Sequence, residues 1–222
     1  MKRSPATAVP HQVEFWNSWH RHRGADGHDE LHQELRARFL ALVPSRRGSR
    51  VADLGCGQGH DAIAFASAGL QVTALDFSPV SVEQLRSRAA REELVVTAIC
   101  HDLAQPLPFG DASLDGTYAH LSLHYFDDAT TRAVFDDIYR VLSPGGYLVF
   151  SVKSTDDPYY GTGEQIGPNM FCRNGHVRHF FDREYLEEIL GDWKQDDIRS
   201  CTGYYASNEP SAFFHVVARK PW

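Results

Sequence analysis

Two hydrophobic periods alternate along the middle of this chain. Short β-prone runs occupy residues 51–54, 71–76, 94–100 and 113–119, and a further run ends at Phe150. Between them lie stripes of helical spacing near residues 60–68, 79–91 and 128–142, the first marked by Ala62, Ile63, Phe65 and Ala66. Strand–helix alternation across residues 50–152 predicts a parallel sheet with helices on both faces. Ser78 before Pro79 reads as an N-cap followed by proline in the first helical turn. Upstream, Leu31, Leu35, Phe39, Leu40, Leu42 and Val43 form another helical stripe. Residues 11–23 concentrate aromatic and histidine side chains (His11, Phe15, Trp16, Trp19, His20, His22) before a break that contains Gly24 and Gly27. Residues 1–10 are polar and proline-punctuated and are expected to be mobile.

Beyond Val152 the periodicity fades. Residues 153–180 carry turn formers and aromatics: Pro158, Tyr159, Tyr160, Gly161, Gly163, Gly167, Asn169, Asn174 and Gly175. A long loop is expected there, of the kind that carries function, and its aromatic content argues against disorder. Asp182 caps a short helix with Tyr185 at its third position, and two late strands fall near 193–204 and 211–219. There is no internal repeat. The expected partition is an N-terminal helical cap over 1–45 and one sheet domain over 46–222, with 153–180 as a substrate-cap loop.

Chemistry concentrates at the first strand end. Residues 51–61 read VADLGCGQGHD: a strand, an acidic residue, glycines at 55, 57 and 59, then a helix. Glycine lets a ligand lie against bare backbone, because no Cβ blocks the approach. The spacing is not the G-x-G-x-x-G of pyrophosphate sites. Asp53 and Asp61 would repel a pyrophosphate, whereas they suit an ammonium group; Asp61 also suits a simple helix-capping role. The second strand also ends in an acid, Asp76, placed to bind two ribose hydroxyls, with Phe77 next to it for an adenine face.

These residues resemble motif I of the class I S-adenosylmethionine (SAM) methyltransferases, and further stretches extend the resemblance. Asp102 with Leu103 resembles the family's adenine-contacting position. PLPF at residues 106–109 resembles its "lPfpd.sFD" stretch, and YRVLSPGGYLVF at 139–150 its "r.LkPGG.l.." helix–turn–strand. GHVRHFF at 175–181 resembles a segment that shapes the pocket in small-molecule members. The resemblance covers roughly residues 30–220 and is nearest to the small methyltransferase-11 and tellurite-resistance-like group. It implies a Rossmann-like, doubly wound α/β fold, with seven strands and the last one antiparallel. It also implies SAM as co-substrate and methyl transfer to a small-molecule acceptor. The cofactor-binding residues expected from the motifs and from the strand-end and lid positions together are Trp19, Asp53, Gly55, Cys56, Gly57, Asp61, Asp76, Phe77, Ser78, Asp102, Leu103 and His120.

Catalytic candidates are less specific. His124, Tyr125, Tyr160, His176 and His179 are the groups able to act as a general base if the acceptor is protonated. Each histidine also has an ordinary packing role open to it. Trp16 and Trp19 share a helical face; they are either core, or a lid that covers the sulfonium through cation–π attraction. Two other functions stay open: SAM cyclised by its own amine or carboxylate, releasing methylthioadenosine, and a nicotinamide-dependent oxidoreductase, which the glycine spacing disfavours.

Composition narrows the setting. The chain has 222 residues, 42% hydrophobic and 23% charged, which allows one sizeable core. A net charge of −7 lacks the basic footprint of a nucleic-acid binder. No run approaches the ~18 apolar residues of a membrane span, and the stretch MKRSP at residues 1–5 lacks the apolar h-region expected of a signal peptide. The four cysteines form no C-x-x-C pair, so reduced thiols in the cytoplasm are expected and a metal is not. A monomer or homodimer is expected.

Overall fold

The computed structural model describes residues 10–22, 30–43, 48–204 and 210–222. The expected mobile segment and the break with Gly24 and Gly27 lie outside these residues. The elements run α1 (Pro10–His22), α2 (Glu30–Leu42), β1 (Arg50–Leu54), α3 (His60–Ser67), β2 (Gln71–Asp76), α4 (Pro79–Arg91), β3 (Val96–Cys100) and β4 (Leu114–His120). They continue with α5 (Asp128–Val141), β5 (Leu142–Lys153), β6 (Glu164–Gly167), β7 (Met170–Arg173), β8 (His176–His179), α6 (Arg183–Ile189), β9 (Lys194–Tyr204) and β10 (Pro210–Arg219). The main sheet has the order β3-β2-β1-β4-β5-β10-β9. β1 to β5 pair in parallel, while β10 runs antiparallel to both β5 and β9. The chain direction of the order reverses between β1 and β4, and ligands of open α/β sheets bind in the crevice at such a point.

Each face of the sheet has its own core. On one, Phe135, Ile138, Val141, Phe150 and Val216 pack beneath α5 and α6. On the other, Leu35, Phe39 and Val43 of the α2 segment meet Phe65, Leu85, Tyr118 and Val149. Leu35, Phe39 and Val43 recur at i, i+4 and i+8, so α2 lays one apolar stripe on the sheet. Gly116 permits the close approach: a Cβ there would stand 2.7 Å from Val43 Cγ2 and 3.1 Å from Phe39. Burying a side chain such as Phe39 contributes about 1.5–3 kcal/mol.

The 153–180 region departs from the expected loop. It contains β6, β7 and β8, a three-stranded antiparallel sheet. Asn174 (φ 53°) and Gly175 (φ 76°) turn the chain between β7 and β8. Positive φ at both central residues is the signature of a type I′ hairpin, for which Asn-Gly is the preferred pair. That dipeptide was the available sequence signal; the short strands, with few alternating positions, hid the rest.

A buried ion pair fastens this region to the sheet. Lys153 Nζ, at the carboxyl end of β5, donates to Asp157 Oδ2 (2.7 Å) and to Ser211 Oγ. Asp157 Oδ2 also accepts from Ala212 N (3.0 Å), and its Oδ1 accepts from Tyr159 N (3.0 Å). Both charged side chains are buried, at 7% and 0% exposure. Removing one partner of such a pair strands the other charge. Lys153→Met is therefore expected to cost about 3–5 kcal/mol, read from chemical denaturation, with much of the loss recovered in the double variant with Asp157→Leu. A single variant as stable as the parent would show that the pair does not hold the region.

Candidate functional site

The carboxyl ends of β1 and β2 build an acidic cleft. Gly55 N and Cys56 N both donate to Leu75 O (2.8 and 3.0 Å), so the glycine turn is pinned to β2. The three glycines serve different neighbours. A Cβ on Gly55 would stand 2.3 Å from Ser122 Cβ, and one on Gly59 would stand 2.2 Å from Leu85 Cδ1. These two make room for protein. Gly57 (φ 50°) is the open one: its added Cβ would meet only His20 Cε1, at 3.3 Å.

Asp76 organises the rim. Its Oδ2 accepts from Gly57 N (2.8 Å) and its Oδ1 from Ser78 N (2.9 Å), tying the glycine turn to the start of α4. Burial pushes its carboxyl up to about 6 against those two bonds. Asp53 is buried beside it, with no hydrogen-bond partner at Oδ2. Burial first, then the charges of Asp61 and Asp76, hold the Asp53 carboxyl well above the usual range. Burial and the same aspartates raise the Cys56 thiol. Asp61 lies in the first turn of α3 and faces Arg36 of α2 at 3.5 Å. Ser78 caps α4, accepting from Ser81 N (3.3 Å), and its hydroxyl donates to Asn17 Oδ1 (2.5 Å). Phe77 is half-buried between them. Asp102 Oδ1 accepts from Ala104 N (3.0 Å), which shapes the turn after β3, while Leu103 is part of the core.

The second half of the site follows β4. His120 Nδ1 meets Ser151 Oγ at 2.8 Å, and the same hydroxyl accepts from Leu121 N (3.0 Å). Leu121 has φ 50°, an unusual conformation for a leucine and one that stores strain where the chain leaves the sheet. Ser122 Oγ donates to Leu54 O (2.6 Å), so this turn is fastened to the glycine turn. His124 is fully buried with neither ring nitrogen hydrogen-bonded. Burial, followed by the nearby charges of Lys153 and Arg178, holds it well below the usual histidine range.

α1 closes the site from above. Phe15 stacks on His176 (4.5 Å), and Trp16 lies 5.4 Å from both Trp19 and Tyr125 and 5.6 Å from His176. His20 O accepts from Gln58 Nε2 (3.3 Å) and Gln84 Nε2 (3.2 Å). The helix is thus fixed to the glycine turn, to α4 and to β8 at once. His124, Tyr125 and His176 pack together under it as one wall, with Tyr125 5.3 Å from His176 and 4.3 Å from His124. Burial, then Arg178, lowers His176 to about 3.

The other two candidate bases sit elsewhere. His179 points to the opposite face of β8, against Phe181 (4.8 Å) and Tyr185 (5.0 Å). Tyr160 packs on Phe171 (5.3 Å) and Phe180 (5.6 Å), and its hydroxyl donates to Asn169 Oδ1 (2.8 Å). Asn17, Gln58, Gln84 and Ser151 escaped the sequence reading, since amides and hydroxyls on regular elements carry no motif. Ser151 becomes legible once β4 and β5 are known to pair, because it is the register partner of His120. Among the described residues, no group of three or more His, Cys, Asp or Glu could hold a metal ion, and no helix is long and apolar enough to cross a membrane.

Known proteins share this arrangement. Residues 51–146 match the family model described as a methyltransferase domain. A malonyl-[acyl-carrier protein] O-methyltransferase of Enterobacter lignolyticus is 30% identical over 164 residues, covering 73% of this chain and 61% of the relative. The 27-O-demethylrifamycin SV methyltransferase of Amycolatopsis mediterranei is 35% identical over 122 residues, covering 54% and 44%. This chain spans less than two thirds of the length of these curated relatives. A solved SAM-dependent methyltransferase of Methanosarcina mazei superposes with a TM-score of 0.70 at 20% identity, over 79% of this chain and 94% of that one. Residues 51–146 thus match a methyltransferase domain, and the chain as a whole is similar to S-adenosylmethionine-dependent methyltransferases in its seven-stranded fold.

Proposed function

We propose that this chain binds SAM in the acidic cleft and methylates an oxygen atom of a small-molecule acceptor held under α1. The observation that carries the reading is the buried, unpartnered Oδ2 of Asp53 beside Asp76. A buried carboxylate that keeps one oxygen unpartnered is costly, and a cationic ligand removes that cost. Asp76 keeps lone pairs for ribose hydroxyls after accepting from Gly57 and Ser78. Phe77, Asp102 and Leu103 serve the adenine; Gly55, Cys56, Gly57 and Ser78 shape the nucleoside floor. Asp53, Asp61 and His120 serve the amino-acid end, and Trp19 with Trp16 covers the sulfonium. The relatives' names specify oxygen methylation, which supports oxygen as the nucleophile.

When bound, SAM supplies an electrophilic methyl carbon whose bond electrons stay with sulfur. The protein's own contribution is alignment, worth up to about 7–11 kcal/mol in well-oriented systems, and exclusion of water by α1. His124, Tyr125 and His176 face the acceptor; His179 lies on the opposite face of β8 and the Tyr160 hydroxyl is engaged by Asn169, so neither is assigned a proton transfer. Mass analysis of products after incubation with SAM and acceptor tests the reaction. S-adenosylhomocysteine with a methylated acceptor supports it, and methylthioadenosine would replace it with cyclisation.

Three outcomes follow from these roles. Asp76→Ala should weaken S-adenosylhomocysteine by about 1.5–3 kcal/mol in calorimetry; unchanged affinity would remove Asp76 from the ribose site. Asp53→Asn should stabilise the ligand-free protein at neutral pH while weakening SAM. The sign follows from linkage: the folded carboxyl lies above its unfolded value, so charging it costs stability as pH rises. The thermal gain should therefore vanish below about pH 4, the ordinary carboxylate range. A variant that melts no higher than the parent at neutral pH contradicts this. Finally, hydrogen exchange at α1 and at residues 164–179 should slow together when S-adenosylhomocysteine binds. Unchanged exchange in both would exclude a ligand-linked lid.

A further inference from the structure

One cation on the wall under α1 has no acidic partner among the described residues. Arg178 lies on β8 two residues from His176, so both side chains project from the same face of the strand. His176 is the residue on which Phe15 of α1 stacks, so this is the chamber side. Arg178 is half-buried, and its Nε is buried without a hydrogen-bond partner. Among the described residues, no carboxylate lies within ion-pair distance of its guanidinium. The other partly buried arginines behave differently: Arg36 faces Asp61, Arg38 faces Asp197 and Arg140 faces Asp137. The neighbouring Lys153 is matched by Asp157.

The guanidinium is also held in place. It lies over the Tyr159 ring, 5.4 Å from the centroid, a contact that favours a cation on an aromatic face. Tyr159 N in turn donates to Asp157, the acid of the buried ion pair at the end of β5. Beside it, His124 buries two unpartnered ring nitrogens. Arg178 and His124 together offer N–H donors that no acceptor among the described residues receives.

We propose that the acceptor is a carboxylate, bound by Arg178 with His124 and His176 as neutral hydrogen-bonding neighbours. This rests on the methyltransferase reading above and names its substrate class. A carboxylate accepts from a guanidinium and an imidazole N–H at once and still presents a lone pair. It is already ionised at neutral pH, with an ordinary pKa near 4, whereas a phenol near 10 must first lose a proton. His176, held at about 3, is a poor base for that task and a good neutral donor. The step balances without proton transfer. A carboxylate oxygen forms the O–CH3 bond, the S–CH3 bond breaks, and its electron pair stays on sulfur. An anion and a sulfonium become a neutral ester and a neutral thioether, a conversion that a dry chamber favours.

The test uses the full chain saturated with S-adenosylhomocysteine and follows tryptophan fluorescence, since Trp16 and Trp19 border the chamber. The probes are a set of free monocarboxylic acids, a set of carboxyacyl thioesters, and the primary amide of each. Carboxylates should bind at least tenfold tighter than their amides, and whichever set binds tighter identifies a free or thioester-borne acid. Arg178→Gln should abolish that preference while S-adenosylhomocysteine affinity stays unchanged, and Arg178→Lys should restore part of it. Equal binding of acid and amide, no binding by any carboxylate, or a parent-like preference in Arg178→Gln overturns the proposal. Loss of S-adenosylhomocysteine binding by the parent chain would instead overturn the methyltransferase reading itself.

Discussion

Buried negative charge at the reversal of strand order is the constraint on which the rest of the site depends. Asp53 and Asp76 end neighbouring parallel strands, and both are withdrawn from water. Asp76 is compensated by two backbone N–H groups, which the glycine turn and the start of α4 supply. Asp53 keeps an oxygen with no partner at all. A fold selected for stability alone would place neutral groups there, because an uncompensated buried carboxylate costs several kcal/mol or takes up a proton. Keeping it makes the ligand-free protein less stable, a cost that the cationic ligand proposed above would remove. Gly55 and Gly59 are then required by packing against Ser122 and Leu85, so that the turn can hold its backbone toward Asp76.

The same economy explains α1. The helix has little of its own to bury in the main core. Its attachments are instead made to the site: Asn17 to Ser78, the His20 carbonyl to Gln58 and Gln84, Phe15 to His176. An element fastened chiefly to the rim of a cleft opens at lower cost than one seated in the core. α2 is the contrast, since Leu35, Phe39 and Val43 seat it against the sheet. A firm α2 beside a rim-fastened α1 gives an edge that holds its shape and a cover that can part from it.

What the sequence revealed follows from how local each signal is. The capping of α4 by Ser78 and of α6 by Asp182 was legible because cap, proline and helix are adjacent in the chain. The acids at the ends of β1 and β2 were legible because strand, acid and glycine turn are contiguous. β6 to β8 were missed as strands because they are four residues each and their hairpins look like loop composition. His179 and His176 looked equivalent as bases, three positions apart. On a strand an odd separation sends them to opposite faces, and only knowledge that this stretch is extended tells them apart. Arg178 carried no motif, since its meaning lies in the lack of a nearby acid among the described residues, which is a property of the fold.

The charges of the two halves of the site complement the reaction. The proposed cofactor half gathers Asp53, Asp61 and Asp76, while the proposed acceptor half presents Arg178 beside buried imidazoles, with Lys153 already matched by Asp157. The turn after β4 separates them, fixed by Ser122 on the glycine turn and by Ser151 on Leu121. A cation bound on the acidic side and an anion bound on the basic side are each stabilised by their own wall before they meet. That arrangement holds both charged reactants apart at short range with little water between them. Once the methyl group moves, sulfur is neutral and the ester is neutral, so neither wall grips its product as it gripped its reactant. Asp53 Oδ2 is again without a partner on one side of the turn, and on the other Arg178 again lacks an acid among the described residues. The two unpartnered groups that mark the resting site thus also weaken its hold on both products.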